Sequence, residues 1–205
     1  MLRTLGGQVD DAGLVAALRR DEPDAAVQLV ERYGERIYRL AARITGTPDD
    51  AEEAAQSALA TAVDTIDTFG SNSSFGAWID RLAAGAAYRK LLTRLATTGP
   101  RETDEIVLED VLPPLDGGGL HFEPMRDWSD RIDARELQGE LRQILTDAVD
   151  ALPADFRVVL VLHDVEGMAD ADIAEALGIG PDAVRTRVHR ARLFVRKRLS
   201  ELVAA

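Results

Sequence analysis

The sequence predicts an all-α protein made of two small helical domains joined by an acidic flexible linker. Three observations carry this. Apolar residues recur at spacings of three and four over long stretches, nowhere does an apolar/polar alternation run long enough to argue a strand, and the helix-breaking residues are concentrated in one central segment. That segment, residues 95–133, holds Pro100, Pro113, Pro114, Pro124 and the Gly117-Gly118-Gly119 run, which no regular helix tolerates. Residues 10–94 and 134–205 on either side are rich in Ala, Leu, Arg and Glu and form the two expected domains.

The elements follow in order. Over 24–45, Ala26, Leu29, Val30, Tyr33, Ile37, Leu40, Ala41 and Ile44 keep the period of one helix face, and Gly46-Thr47-Pro48 stops it. Asp49 offers a cap for the next helix, whose stripe is Ala51, Ala54, Ala55, Ala58, Leu59, Ala62, Val63 and Ile66. A polar loop at 67–73 follows, with Gly70 and Asn72 as turn formers. A further helix from near Ser74 carries Phe75, Trp78, Ile79, Leu82, Ala86 and Leu91. After the linker, residues 135–151 read as a helix. Leu152-Pro153 ends it and starts another, through Phe156, Val159, Leu160 and Leu162 to Glu166-Gly167. A short helix at 170–177, a Gly178-Ile179-Gly180 turn and a longer helix from Pro181 to about Leu202 have the order of a helix-turn-helix.

Composition narrows the function classes. The chain has 205 residues, 36 acidic against 24 basic, three His, no Cys and a net charge of −12. Without Cys there is no disulfide scaffold and no Cys-ligated zinc, and 46% apolar residues are enough for a core. The start, MLRTLGGQVDDAG, lacks the apolar run of a signal peptide and no long apolar stretch occurs elsewhere, so a cytoplasmic protein without membrane insertion is expected. His121, His163 and His189 have no partner at metal-ligand spacing, and there is no nucleophile motif or phosphate-binding glycine loop. No enzyme, catalytic residue, cofactor or metal site is expected. Inside its apolar helix, His163 reads as a structural residue.

The acid excess argues against a uniformly basic nucleic-acid binder, but charge is unevenly placed. Residues 95–140 hold 12 acidic and 4 basic groups, or −8. Between Asp182 and Arg198, Arg185, Arg187, Arg190, Arg192, Arg196, Lys197 and Arg198 stand against Asp182 alone, or +6. Val184, Val188, Ala191, Val195 and Leu199 form the inward stripe of that helix. Arg185, Thr186, His189 and Arg190 then face outward near its N-terminal end, the part of a recognition helix that enters a major groove. Arg pairs with guanine edges, and Thr and His reach bases or phosphates.

At this point a family resemblance appears. ALPADFRVVLVLHDVEGMADADIAEALGIGPDAVRTRVHRARLFVRKRL, residues 151–199, resembles region 4 of the bacterial sigma-70 family, in particular its extracytoplasmic-function (ECF) group. The features are Leu152-Pro153, Asp164 with Glu166-Gly167, Ile173-Ala174, Leu177-Gly178, Val184-Arg185-Thr186-Arg187 and His189-Arg190-Ala191-Arg192. AEEAAQ at 51–56, Phe69 and SSFGAWIDRLA at 73–83 are similar to region 2 of that group.

The resemblance implies an ECF-type sigma factor that binds core RNA polymerase and directs promoter-specific initiation. It places core-polymerase contacts, on the β′ clamp helices, at Asp49, Asp50, Glu52, Glu53 and Gln56. Minus-10 DNA contacts fall on Asn72, Ser73, Ser74, Phe75, Trp78, Arg81, Arg89 and Lys90, although Trp78 also fits a core stripe. Minus-35 contacts fall on Arg185, Thr186, Arg187, His189 and Arg190, with region 4 also touching the β flap. An anti-sigma factor is a further implied partner. The linker reads either as a solvated tether or as a segment threading polymerase channels, and Leu120, Phe122, Met125 and Trp128 give it docking residues.

Departures keep other readings open. Gly85 stands where the family usually has Asn, and Gly weakens a helix interior by about 1 kcal/mol relative to Ala. Ala169 replaces the usual Ser or Thr cap. A degenerate sigma-like regulator, binding polymerase or an anti-sigma partner without efficient melting, and a stand-alone helix-turn-helix repressor are the alternatives.

Overall fold

The structure, a computed structural model, describes residues 10–70, 73–98 and 135–204. These are helical and, among the described residues, include no strand. The helices are α1 (Asp11–Arg19), α2 (Ala25–Thr45), α3 (Pro48–Asp64), α4 (Phe75–Thr98), α5 (Arg135–Asp150), α6 (Ala154–Leu160), α7 (Asp170–Leu177) and α8 (Pro181–Ala204). A 3-10 turn, Ile66–Thr68, follows α3, and a π turn, Val161–Val165, extends α6. Asn72 and the linker residues 99–134, with Leu120, His121, Phe122, Met125 and Trp128, lie outside the described residues.

Among the described residues, contacts define two compact units, one drawn from 10–97 and 168–179, the other from 135–167 and 180–204. Thus α7 groups with the first unit, where Asp172 meets Arg81 of α4. The sequence pattern groups it with α8 because the turn at Gly178 looks like an internal joint.

In the first unit, Asp10 caps α1 by accepting from the Gly13 N–H at 2.8 Å. Helix α2 buries Ala25, Leu29, Tyr33, Ile37, Leu40, Ala41 and Ile44. The buried stripe steps from Ala25 to Leu29, one position off the expected Ala26, and leaves Val30 51% exposed at its rim. Opposite it, α3 presents Ala51, Ala54, Ala55, Ala58 and Ala62, a face without bulk that lets two backbones approach closely.

Two boundaries move. Gly46, at φ 73°, ends α2, and Pro48 opens α3 at a position where its missing N–H costs nothing. The cap is therefore Thr47, not Asp49, and the Thr47 hydroxyl donates to Asp50 at 2.9 Å. Ile66, expected within α3, belongs to the 3-10 turn instead.

Helix α4 starts where expected, with the Ser74 hydroxyl accepting from the Ala77 N–H at 3.2 Å. Ala83, Ala84, Gly85, Ala86, Ala87 and Tyr88 are all buried, so α4 is covered all round at mid-length.

In the second unit, Ala148, Leu152, Leu160, Ala191, Phe194 and Val195 form the core, with Val149, Ala151, Phe156 and Leu199 partly buried against it. Phe194, fully buried, joins the inward stripe of α8 beside the five residues its period marks. Arg157, also buried, donates to the Asp150 carbonyl at 3.1 Å and closes the C-terminal end of α5.

Candidate nucleic-acid and polymerase interface

The N-terminal half of α8 carries the first candidate surface. Arg185, Thr186 and His189 are exposed and Arg190 is half-buried. Arg185 lies beside Asp182 in the first turn, an exposed pair that water and salt screen. Arg187 does not join this surface. Its side chain turns toward α6, pairs with Asp155 at 3.1 Å, and leaves Nη1 buried with no hydrogen-bond partner among the described residues. Further along, Arg192 donates to Asp164 at 2.9 Å, and Arg198 sits 5.8 Å from the centre of the Phe194 ring. Hydrogen bonding from Arg192 holds the Asp164 carboxyl below its ordinary range, against burial and with help from His163. His163 meets Asp164 at 2.6 Å, the structural role expected of it.

The loop before α4 is backed by four aromatic rings. Phe69 lies 5.3 Å from Phe75 and 5.5 Å from Trp78, Phe75 stacks on Trp78 at 5.6 Å, and Tyr33 meets Phe75 edge-on at 5.4 Å. Phe75 and Trp78, 3% and 7% exposed, are core residues that support the loop from beneath rather than face outward. Arg19 donates to the Phe69 carbonyl at 2.6 Å, fixing the loop to α1. Tyr33 donates to Asp11 at 2.7 Å; burial, and then that carboxylate, push its hydroxyl up to about 12. An open cleft of about 630 Å3 lies between α1 and the loop, lined by Asp11, Val15, Arg19, Phe69 and Phe75 among others. Ser73 is half-buried and Ser74 exposed, its hydroxyl engaged as the helix cap.

Three of the four basic groups of α4 are engaged within the unit. Arg81 donates to Asp172 of α7 at 2.7 Å and lies 3.6 Å from Glu175. Lys90 donates to Glu53 and lies 3.6 Å from Asp50. The Glu53 bond raises the pKa of Lys90, with Asp50 adding to it. Arg94 reaches Asp50 at 2.7 Å and the Thr45 carbonyl at 2.7 Å. Arg89 is exposed.

On α3, Asp49, Glu52, Glu53 and Gln56 are exposed at spacings of three and four, forming one acidic ridge opposite the alanine face. Gln56 donates to Glu52 at 3.2 Å along it. Asp50 points away from this ridge. Burial raises its pKa, but the Thr47 hydroxyl, Arg94 and Lys90 outweigh that and hold the carboxyl below its usual range.

Sequence reasoning missed the Arg81–Asp172 and Arg94–Asp50 pairs, separated by 91 and 44 residues. A complementary charge at that distance has no local signal.

Among the described residues, no group of three or more His, Asp or Glu is placed to hold a metal ion, and no helix is long and apolar enough to cross a membrane.

Comparison with known proteins agrees with this layout. Residues 29–96 match the family model for sigma-70 region 2, and residues 142–195 match that for sigma-70 region 4. The chain is 27% identical to the ECF RNA polymerase sigma factor SigW of Bacillus subtilis over 92% of this chain and 96% of that one. It is 28% identical to the ECF RNA polymerase sigma-E factor of Haemophilus influenzae, over 96% and 98% respectively. Among solved structures, it is similar in fold to CnrH in complex with the cytosolic domain of CnrY, with TM-score 0.54, 21% identity and coverage of 92% and 96%. It is likewise similar in fold to the sigma factor RpoE in complex with the anti-sigma factor NepR from Bartonella quintana, with TM-score 0.53, 20% identity and coverage of 86% and 98%. With both regions matched in order, on helices that carry an exposed basic N-terminal face and an acidic ridge, the chain belongs to the ECF group of the sigma-70 family.

Proposed function

We propose that this chain is a dissociable initiation subunit: it binds core RNA polymerase and directs it to a specific class of promoters. The ordered match to regions 2 and 4 carries that conclusion. We assign region 2 to residues 10–94 and region 4 to 134–205, with 95–133 between them. The acidic ridge Asp49, Glu52, Glu53 and Gln56 suits the basic surface of the β′ clamp helices. On this reading Arg185, Thr186, His189 and Arg190 read the minus-35 element and the loop at 73–74 engages the minus-10 element with the α4 cations; the outward face of the first four supports it. Arg187 anchors α8 to α6, and Asp50 anchors α3 to α4. Initiation of this kind is a binding function, and no catalytic step falls to this chain. Its place of work is the cytoplasm, with polymerase. The anti-sigma factor bound to one structural neighbour, the sigma factor RpoE, supports an anti-sigma partner here too.

Net charge shapes how DNA is bound. At −12 the whole chain repels DNA, so unassisted binding is weak and salt-sensitive and polymerase supplies much of the affinity. Gel shifts on genomic promoter fragments, with and without core polymerase, test this. Specific retardation is expected only with core. Equally tight specific binding without core would favour a stand-alone repressor.

A further inference from the structure

We propose that Arg19 of α1 is a positioning residue for minus-10 recognition. Its hydrogen bond to the Phe69 carbonyl sets the direction in which the chain leaves the 3-10 turn, and with it how sharply the loop before α4 discriminates between bases. The inference rests on reading that loop as the minus-10 contact, as proposed above.

The backbone changes course at Phe69. Its N–H closes the 3-10 turn on the Ile66 carbonyl at 3.1 Å, and the residue itself is extended, with φ −65° and ψ 115°. An extended residue offers its carbonyl to no helix ladder, so a donor must come from elsewhere. Arg19, 50 residues earlier, supplies it: Nη2 donates to that carbonyl at 2.6 Å. The Phe69 ring is meanwhile held from beneath by Phe75 and Trp78. With its ring and its carbonyl both held, Phe69 has one direction in which to send the chain.

Helix α1 is a firm anchor for this bond. It buries Leu14, Val15, Ala17 and Leu18, and Asp11 in its first turn accepts from Tyr33 at 2.7 Å and faces Arg32 at 3.0 Å. Arg19 is exposed and stands in the last turn, where a cation ordinarily serves the carbonyls of its own helix. Here it reaches another element instead. The open cleft between α1 and the loop leaves the peptide after Phe69 room to rotate, so the charge-assisted bond is what fixes its plane. The other end of the loop has separate anchors, the Ser74 cap and the buried Phe75. Losing Arg19 therefore frees one end only. A loop freed at one end stays attached but re-packs around bases that a rigid loop refuses, so discrimination falls more than affinity.

Holoenzyme assembled from core polymerase and the full chain, titrated against promoters that differ at one minus-10 base at a time, tests this. Arg19→Ala should narrow the ratio of cognate to singly mismatched binding by about fivefold, the net effect of one modest hydrogen bond, with core association unchanged. Arg19→Lys, which keeps a donor of similar reach, should recover most of the ratio. An unchanged ratio would overturn the proposal. So would a uniform loss on all sequences with a shallower salt dependence, which would make Arg19 a phosphate contact. The free protein gives a second readout that needs no DNA. With Trp128→Phe in place, Trp78 is the sole tryptophan and Phe69 lies 5.5 Å from it. Arg19→Ala should make Trp78 more accessible to acrylamide at an unchanged urea midpoint, and identical quenching in parent and variant would overturn the anchor. Absence of promoter-specific binding by the parent holoenzyme would instead overturn the sigma-factor reading, while the quenching still decides whether Arg19 holds Phe69.

Discussion

Arg94, near the end of α4, clamps Asp50 in the first turn of α3: its Nη1 donates to the carboxylate at 2.7 Å while Nη2 donates to the Thr45 carbonyl at 2.7 Å at the end of α2. One guanidinium therefore ties three helices together, with side chains only 18% and 15% exposed. Arg94→Ala leaves Asp50 without its main partner and should destabilise the first unit by about 1.5–3 kcal/mol. Trp78 reports this unit once Trp128, the other tryptophan, is replaced by Phe, so the urea midpoint of Trp78 fluorescence measures the effect.

Acid should act through the same pair. Asp50 and Asp164 both have depressed folded-state values, so their contribution is complete above the unfolded Asp value near 3.9 and is lost as pH falls through the folded one. Stability should hold from neutrality down to about pH 5 and then decline. Asp50→Asn should be less stable at neutral pH and should show a shallower acid slope. An unchanged slope, read from urea midpoints between neutral and acid pH, would remove Asp50 from this role.

Trp78 separates support from contact. As a core residue it should cost about 3–5 kcal/mol when changed to Ala, unfolding the first unit, whereas Trp78→Phe should retain both fold and transcription. Normal stability of Trp78→Ala with a specific loss of minus-10 recognition would point to a base contact instead.

On α8, Arg185→Ala or Arg190→Ala should weaken binding to the cognate minus-35 duplex by about 1–3 kcal/mol while leaving mismatched duplexes little changed. Arg196→Ala or Lys197→Ala should lower affinity more evenly across sequences and reduce the salt dependence. Arg187→Ala should act differently again, lowering the stability of the second unit because its guanidinium is paired with Asp155 inside it. Equilibrium binding of holoenzyme to duplex sets, alongside thermal melting, distinguishes the three classes.

Periodicity carried most of the fold. The stripes of α2, α3 and α8 are legible because each helix buries one face, and only their rims, such as Ala26 and Val30, were misjudged by a residue. Helix α4 was harder, since it is covered all round at mid-length and has no single apolar face to recognise. The candidate surfaces were legible in part. Residue type and spacing put Arg185, Thr186 and His189 on an outer face, but could not tell that Arg187 turns inward or that Asp50 leaves the acidic ridge, because both are decided by partners on other helices. Gly85 read as a defect for the same reason: a Cβ there would lie 2.9 Å from the carbonyl oxygen of Ala176, 91 residues away in sequence.

Run-off transcription with purified core polymerase over a library of genomic promoter fragments tests the central claim most directly. Core with this protein should start discrete transcripts at a common pair of sequence elements, and core alone or with the Arg185→Ala, Arg190→Ala double variant should not. Stable association with core but no specific transcript from any fragment would contradict it.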